Sequence, residues 1–186
     1  AWQLNSLVFM LWPGAVIFLV GYSYTKRFTW LCHFILGFTD GLAPMGAWAA
    51  ITGSLLAPSD LAAWLLLFAV TVWIGGFDIL YALHDIDVDR RDGLHSIPSR
   101  FGIPAALLMA RLCHVLTVIL LATVGLTTGL GWPYWIGVAI VAGLFIYEHR
   151  LVSPTDLTKL NMAFFNVNGY ISVAIFAATF FALWIA

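Results

Sequence analysis

Leu61-Ala62-Ala63-Trp64-Leu65-Leu66-Leu67-Phe68-Ala69-Val70-Thr71-Val72-Trp73-Ile74-Gly75-Gly76-Phe77-Asp78-Ile79-Leu80-Tyr81-Ala82 carries one charged side chain, Asp78, close to its far end. A bilayer core about 30 Å thick is crossed by roughly 20 apolar residues in helical conformation. The stretch therefore reads as a membrane-spanning helix. Working outward from Leu61–Ala82, five more segments qualify: Leu4–Val20, Leu31–Thr52, Ala105–Leu126, Trp132–Tyr147 and Met162–Ile185. Of these, Trp132–Tyr147 is short, and glycine and Pro44 interrupt Leu31–Thr52. The runs are continuously apolar rather than alternating, which selects helices over a barrel. The expected fold class is all-α, a polytopic transmembrane helical bundle with six spans here in a single domain over residues 1–186.

Composition agrees. Hydrophobic residues are 62% of the chain and charged residues 9%, against about 25% charged in a soluble domain. So few charges cannot solvate a water-facing surface. Cys32 and Cys113 lie in or beside apolar runs, at a spacing that suggests neither a disulfide framework nor a metal site. Ala1 is followed by no basic region and no small-residue cleavage site, so no signal peptide is read. Basic residues are too few and scattered for nucleic-acid binding.

Charge placement orients the bundle. Lys26 and Arg27 fall in the first loop, Arg90, Arg91 and Arg100 in the third, and Arg150 and Lys159 in the fifth. The second and fourth loops, 53–60 and 127–131, carry no Lys or Arg. By the positive-inside rule the odd loops are cytoplasmic and both chain ends face the other side. Arg111 is the exception.

The third span runs into Leu83-His84-Asp85-Ile86-Asp87-Val88-Asp89-Arg90-Arg91-Asp92-Gly93. If the helix continues to Gly93, then at 100° per residue Asp85, Asp89 and Asp92 fall within about 40° of Asp78, and Asp87 falls opposite. Like charges so spaced repel, and such a stripe calls for a cation. Oxygen ligands suit Mg²⁺, held jointly with substrate phosphates. The plain alternative is a solvated loop whose aspartates pair with Arg90 and Arg91. Asp78, two turns inside the apolar run, argues for function.

Other polar residues have two readings each. Tyr22 and Lys26 are four apart and point together on a helix, either to hold a phosphate oxygen or to anchor the span by snorkelling. Asp40, about 15 Å beyond Trp30 along a helix, lines a cavity or sits neutral and hydrogen-bonded. Asn161 and Asn168 share a helix face and meet a polar head group, or serve capping and helix contacts. His114 reads as structural.

The stretch from Asp78 to Gly102, with Tyr81-Ala82-Leu83-His84-Asp85, Asp85-x-x-x-Asp89, Arg90-Arg91 and Gly93-Leu94-His95-Ser96-Ile97-Pro98, resembles the second Asp-rich motif of the UbiA superfamily of intramembrane prenyltransferases. Tyr22-x-x-x-Lys26-Arg27-Phe28-Thr29 is similar to that family's Tyr-x-x-x-Lys loop, and Leu36-Gly37 to Gly46-Ala47-Trp48 and Asn161-x-Ala163-Phe164-Phe165 also fit. Bacterial 4-hydroxybenzoate polyprenyltransferases and their menaquinone-pathway relatives are the nearest in look. The resemblance implies transfer of a polyprenyl group from a polyprenyl diphosphate to an aromatic acceptor, in quinone biosynthesis at the bacterial inner membrane, with the site facing the cytoplasm. It implies Mg²⁺ as cofactor, Asp78, Asp85 and Asp89 as catalytic and metal-binding residues, and Tyr22, Lys26, Arg27, Tyr81, Arg91 and Asn168 as substrate-binding residues. Family members have nine helices and a first motif, Asn-x-x-x-Asp-x-x-x-Asp, that nothing here matches. The expectation is an N-terminally truncated chain, inactive by itself. The competing reading is a six-helix transporter or binding protein using the aspartates for cations or protons, for which paired inverted repeats are expected.

Overall fold

The computed structural model describes residues 2–185, the Phe164 side chain excepted. Eight α-helices follow in order: α1 Ser6–Thr25, α2 Cys32–Thr52, α3 Leu61–Tyr81, α4 Ile86–Arg91, α5 Ile97–Phe101, α6 Ile103–Thr128, α7 Trp132–Leu151 and α8 Asn168–Trp184. Apart from an isolated bridge between Ser153 and Asp156, no β-structure occurs among the described residues. Among the described residues, five helices are long and apolar enough to cross a membrane; α7, 20 residues with Glu148, His149 and Arg150 in its last turn, is the long helix that falls short in apolarity.

The bundle wears its apolar residues on the outside. Leu108, Leu112, Val115 and Ile119 on α6, and Phe176 and Phe180 on α8, are all exposed. In water such a surface would aggregate; in lipid it is solvated. Apolar burial then cannot drive helix pairing, so close contact of small residues does. On α2, Gly37 and Gly41 face α3: a Cβ on Gly41 would lie 2.6 Å from the Leu67 carbonyl oxygen, and one on Gly37 would collide with the Thr71 carbonyl. On α3, a Cβ on Gly76 would lie 2.8 Å from the Cys113 Cβ and from His114 Nε2 of α6. These glycines let α3 press against α2 on one face and α6 on the other. Helix α1 packs mainly on α2 and has no buried residue of its own. Asn5 ties its start to the end of α2, donating to the Ala49 and Ala50 carbonyls at 2.8 and 3.1 Å while its Oδ1 accepts from the Val8 N–H.

Four expectations change. Helix α2 runs unbroken through Pro44, as α1 does through Pro13; inside a bundle, neighbouring groups re-satisfy the backbone that proline frees. Helix α1 continues five residues beyond Val20 to Thr25, and α7 continues beyond Tyr147 to Leu151. The third span does not continue to Gly93. It tightens into 3₁₀ helix at Ala82–His84 and breaks at Asp85 (φ −99°, ψ 1°) before α4. The break turns Leu83 and Ile86 into one core with Ile97 and Leu107. Finally, Met162–Val167 is π-helix. Its i→i+5 pattern alters the register, so Asn161 is exposed while Asn168 is buried. Phe164, named in the Asn161-x-Ala163-Phe164-Phe165 match, has a side chain outside the described set.

Candidate active site

Helix α4 ends in a Schellman turn: Gly93 takes φ +67° and the Leu94 N–H donates to the Asp89 carbonyl at 2.8 Å. The turn sends the chain back toward α1, where the His95 N–H donates to the Lys26 carbonyl at 2.7 Å. The Cys32 thiol donates to the His95 carbonyl at 3.4 Å. Ser96 then caps α5, its Oγ accepting from the Ser99 N–H at 3.2 Å and donating to Asp89 Oδ2 at 2.7 Å. One short segment thus ties α1, α2, α4 and α5 together.

Lys26, the C-cap of α1, reaches into this knot. Its Nζ lies 2.8 Å from Asp89 Oδ1, off the axis of a well-aligned hydrogen bond, and 3.5 Å from Asp85 Oδ2. The two carboxylates differ in access: the Asp89 side chain is 0% exposed and that of Asp85 42%. Burial works against the Lys26 charge, but the adjacent Asp89 and Asp85 carboxylates outweigh it and raise its pKa above the usual 10.5.

Asp78 is joined to the same knot through a residue that sequence reasoning passed over. The Ile97 N–H donates to His33 Nε2 at 3.2 Å, which leaves the proton on Nδ1 to donate to Asp78 Oδ2 at 2.6 Å. His33 is buried, and a histidine in an apolar run one helix away from an intramembrane aspartate is the signal that could have found it. Asp40 is exposed on α2 within electrostatic reach of Asp78.

The structure therefore gathers Lys26, Asp78, Asp85 and Asp89, with His33 and Ser96, at one end of the bundle. It does not place four aspartates on one stripe. Asp92 turns away to pair with Arg91 at 2.8 Å, and both are exposed; Arg91 Nε holds its own neighbour rather than facing the knot. Tyr22 is half-buried one turn before Lys26. Arg27 is exposed, its guanidinium 5.7 Å from the Tyr24 ring centre. Tyr81 lies partly exposed at the end of α3, its ring beside His84. Asn168 is elsewhere: buried on the far side of α3, it accepts from Trp73 Nε1 at 2.8 Å and donates to Glu148 Oε1 at 2.9 Å, so it faces side chains and not a substrate opening.

The sequence pattern of the UbiA prenyltransferase family matches residues 1–170. The chain belongs to that family. Within the UbiA family, it is 36% identical over 165 residues to a 4-hydroxybenzoate octaprenyltransferase of Chromohalobacter salexigens, an overlap of 88% of this chain and 53% of the relative. It is 30% identical over 181 residues to that of Salmonella paratyphi B, covering 97% of this chain and 60% of the relative. The solved apo structure of a UbiA homolog from Aeropyrum pernix K1 superposes with a TM-score of 0.86 at 30% identity, over 97% of this chain and 66% of that one. The chain thus spans between half and two thirds of the length of these UbiA relatives. The all-α membrane bundle expected from the spans is the UbiA fold.

Proposed function

We propose that the protein transfers a polyprenyl group from an allylic polyprenyl diphosphate to an aromatic acceptor of the 4-hydroxybenzoate class, at the cytoplasmic face of a bacterial inner membrane. The observation that carries the reading is the Lys26 ammonium, held between a fully buried carboxylate and an accessible one at the end of an apolar bundle. The relatives, 4-hydroxybenzoate octaprenyltransferases by name, supply the substrate class. Membership in a prenyltransferase family weighs against the transporter alternative.

The residues divide the work by access. Asp89, with Ser96 on one oxygen and Lys26 beside the other, orients the ammonium. Lys26 and Tyr22, one turn apart, hold the diphosphate. Asp85, and Asp78 with one oxygen on His33, are the carboxylates able to offer oxygen to Mg²⁺. Asp89, fully buried beside Ser96 and Lys26, is the least accessible of the three expected metal ligands and serves to position the ammonium. When bound, Mg²⁺ supplies Lewis-acid charge to the leaving diphosphate. As the allylic C–O bond breaks, a ring carbon of the acceptor forms the new C–C bond and then loses its proton, and diphosphate leaves. The Tyr81 ring, partly exposed at the same end of α3, faces the developing cation, and the apolar bundle excludes the water that would quench it.

The test is turnover. Membranes carrying the gene product that includes residues 1–186 are incubated with a polyprenyl diphosphate, 4-hydroxybenzoate and Mg²⁺, since residues 1–186 by themselves are expected to be inactive. Product should form and should fall about 100-fold or more in Asp85→Ala. Turnover untouched by that substitution in well-folded protein contradicts the reading.

A further inference from the structure

A second polar cluster lies against the opposite face of α3, enclosed by α3, α6, α7 and α8. Glu148 is 0% and His114 1% exposed, and His149 is half-buried beside them. His114 Nδ1 lies 2.9 Å from His149 Nε2 and 3.1 Å from Glu148 Oε2. Only the first of these is aligned as a hydrogen bond. Glu148 Oε2, His114 Nε2 and His149 Nδ1 all lack a hydrogen-bond partner.

A fully buried carboxylate is costly unless charge and hydrogen bonds compensate it. Here Oε1 has the Asn168 amide, a neutral donor, while Oε2 has nothing along its lone pairs. Two imidazole nitrogens at 2.9 Å share one proton between them, which leaves none for Oε2. A single cation placed among Nδ1 of His114, Nε2 of His149 and Oε2 of Glu148 answers the orphaned Oε2 and takes the place of the proton between the two imidazoles. We propose that His114, Glu148 and His149 form a transition-metal site for a Zn²⁺-class ion, separate from the Lys26 cluster across α3.

The chemistry of the set supports that class. Two imidazoles and one carboxylate are borderline ligands of the kind Zn²⁺ takes, with an open fourth position, whereas Mg²⁺ prefers oxygen throughout. Bonds of about 2.0–2.1 Å put tetrahedral ligand atoms roughly 3.3 Å apart. Two edges, 2.9 and 3.1 Å, are near this, and each of the three residues offers one ligand atom within 4.8 Å of the others. The carboxylate has an outer shell, because Trp73 Nε1 holds Asn168, which holds Glu148 Oε1. The His114 ring is stacked on Phe145, centres 4.1 Å apart. Access exists through a cavity of about 540 Å³ lined by Arg111, His114, Phe145, His149 and Arg150. The two arginines in its lining suit an anion as fourth ligand.

The inference does not depend on the prenyl-transfer reading, and its test uses no turnover. Purified protein in detergent, stripped with chelator, is titrated with Co²⁺ as a spectroscopic probe and dialysed against Zn²⁺ for metal content. One ion per chain is expected, with the visible ligand-field bands of a four-coordinate site, undisturbed by excess Mg²⁺. His149→Phe and Glu148→Gln should each weaken binding at least tenfold, and Trp73→Phe about tenfold. Zn²⁺ should raise the melting temperature of the wild type and not that of His149→Phe. Monodisperse elution and helical circular dichroism show which variants are folded, and either ligand variant that folds decides the matter. Stoichiometric binding absent in folded wild type, displacement by Mg²⁺, or binding that survives in a folded ligand variant overturns the site.

Discussion

The two polar clusters sit against opposite faces of α3 and differ in how they handle charge. On the α2 side, Lys26 answers Asp89 while Asp85 stays 42% exposed, so the cluster is neutral inside and open at its rim. On the α6 side, Glu148 is closed in among His114, His149 and Asn168 with one oxygen unanswered. The first is built largely from one stretch, Asp78–Ser99, folded back on the end of α1 and the start of α2. The second draws on four helices: Trp73 of α3, His114 of α6, Glu148 and His149 of α7, and Asn168 of α8. Glycines at 75 and 76 allow both: Gly75 meets Phe34 of α2 and Gly76 meets His114 of α6. An accessible carboxylate beside a fixed ammonium is suited to a ligand that arrives and leaves; a buried carboxylate among imidazoles suits a resident ion.

Breaking the open cluster at its ion pair should have the largest effect. Lys26→Met leaves Asp89 buried without its cation, a loss of about 3 kcal/mol in unfolding free energy, read by denaturant titration in detergent. Adding Asp89→Leu should restore most of that stability. A wild-type-like Lys26→Met would mean the pair is worth no more than a surface one. Next is Gly76→Ala, which pushes a methyl to 2.8 Å from Cys113 Cβ and His114 Nε2; the expected cost is about 1–3 kcal/mol, and the shift should disturb both clusters where other substitutions disturb one. Ser96→Ala removes the donor to Asp89 Oδ2 and the cap of α5 together, for about 1–2 kcal/mol by the same titration. The smallest effect is pH dependence. Because the folded Lys26 pKa is raised, its contribution is fully present below 10.5 and is lost as pH rises through the higher folded value. The stability gap between wild type and Lys26→Met should therefore narrow only at strongly alkaline pH, and a gap already closing near neutrality would contradict the pairing.

Long apolar runs made the bundle legible, since span length and continuity depend on the bilayer alone. The acidic motif was legible as a place, because Asp78, Asp85 and Asp89 lie close along the chain. Its geometry was not. Nothing local marks the break at Asp85, where neither glycine nor proline occurs; the turn comes from burying Leu83 and Ile86 with Ile97 and Leu107. Pro44 misled in the other direction, because a neighbouring helix tolerates what an isolated one does not. His33 and His114 were hidden for one reason: each is a lone histidine along the chain, and its partners, Asp78 and Glu148, are 45 and 34 positions away. The π-helix before Asn168 likewise has no signature in Met162–Val167, yet it decides that Asn168 meets Glu148.

The central claim is that the Lys26 end of the bundle handles diphosphate through its accessible carboxylate. Binding of a non-reactive polyprenyl thiodiphosphate in the presence of Mg²⁺, compared between wild type and Asp85→Asn, tests it most directly. Affinity at least about tenfold weaker in Asp85→Asn, with unchanged binding in the absence of Mg²⁺, is the predicted result. Equal affinity in the two proteins with Mg²⁺ present would contradict it.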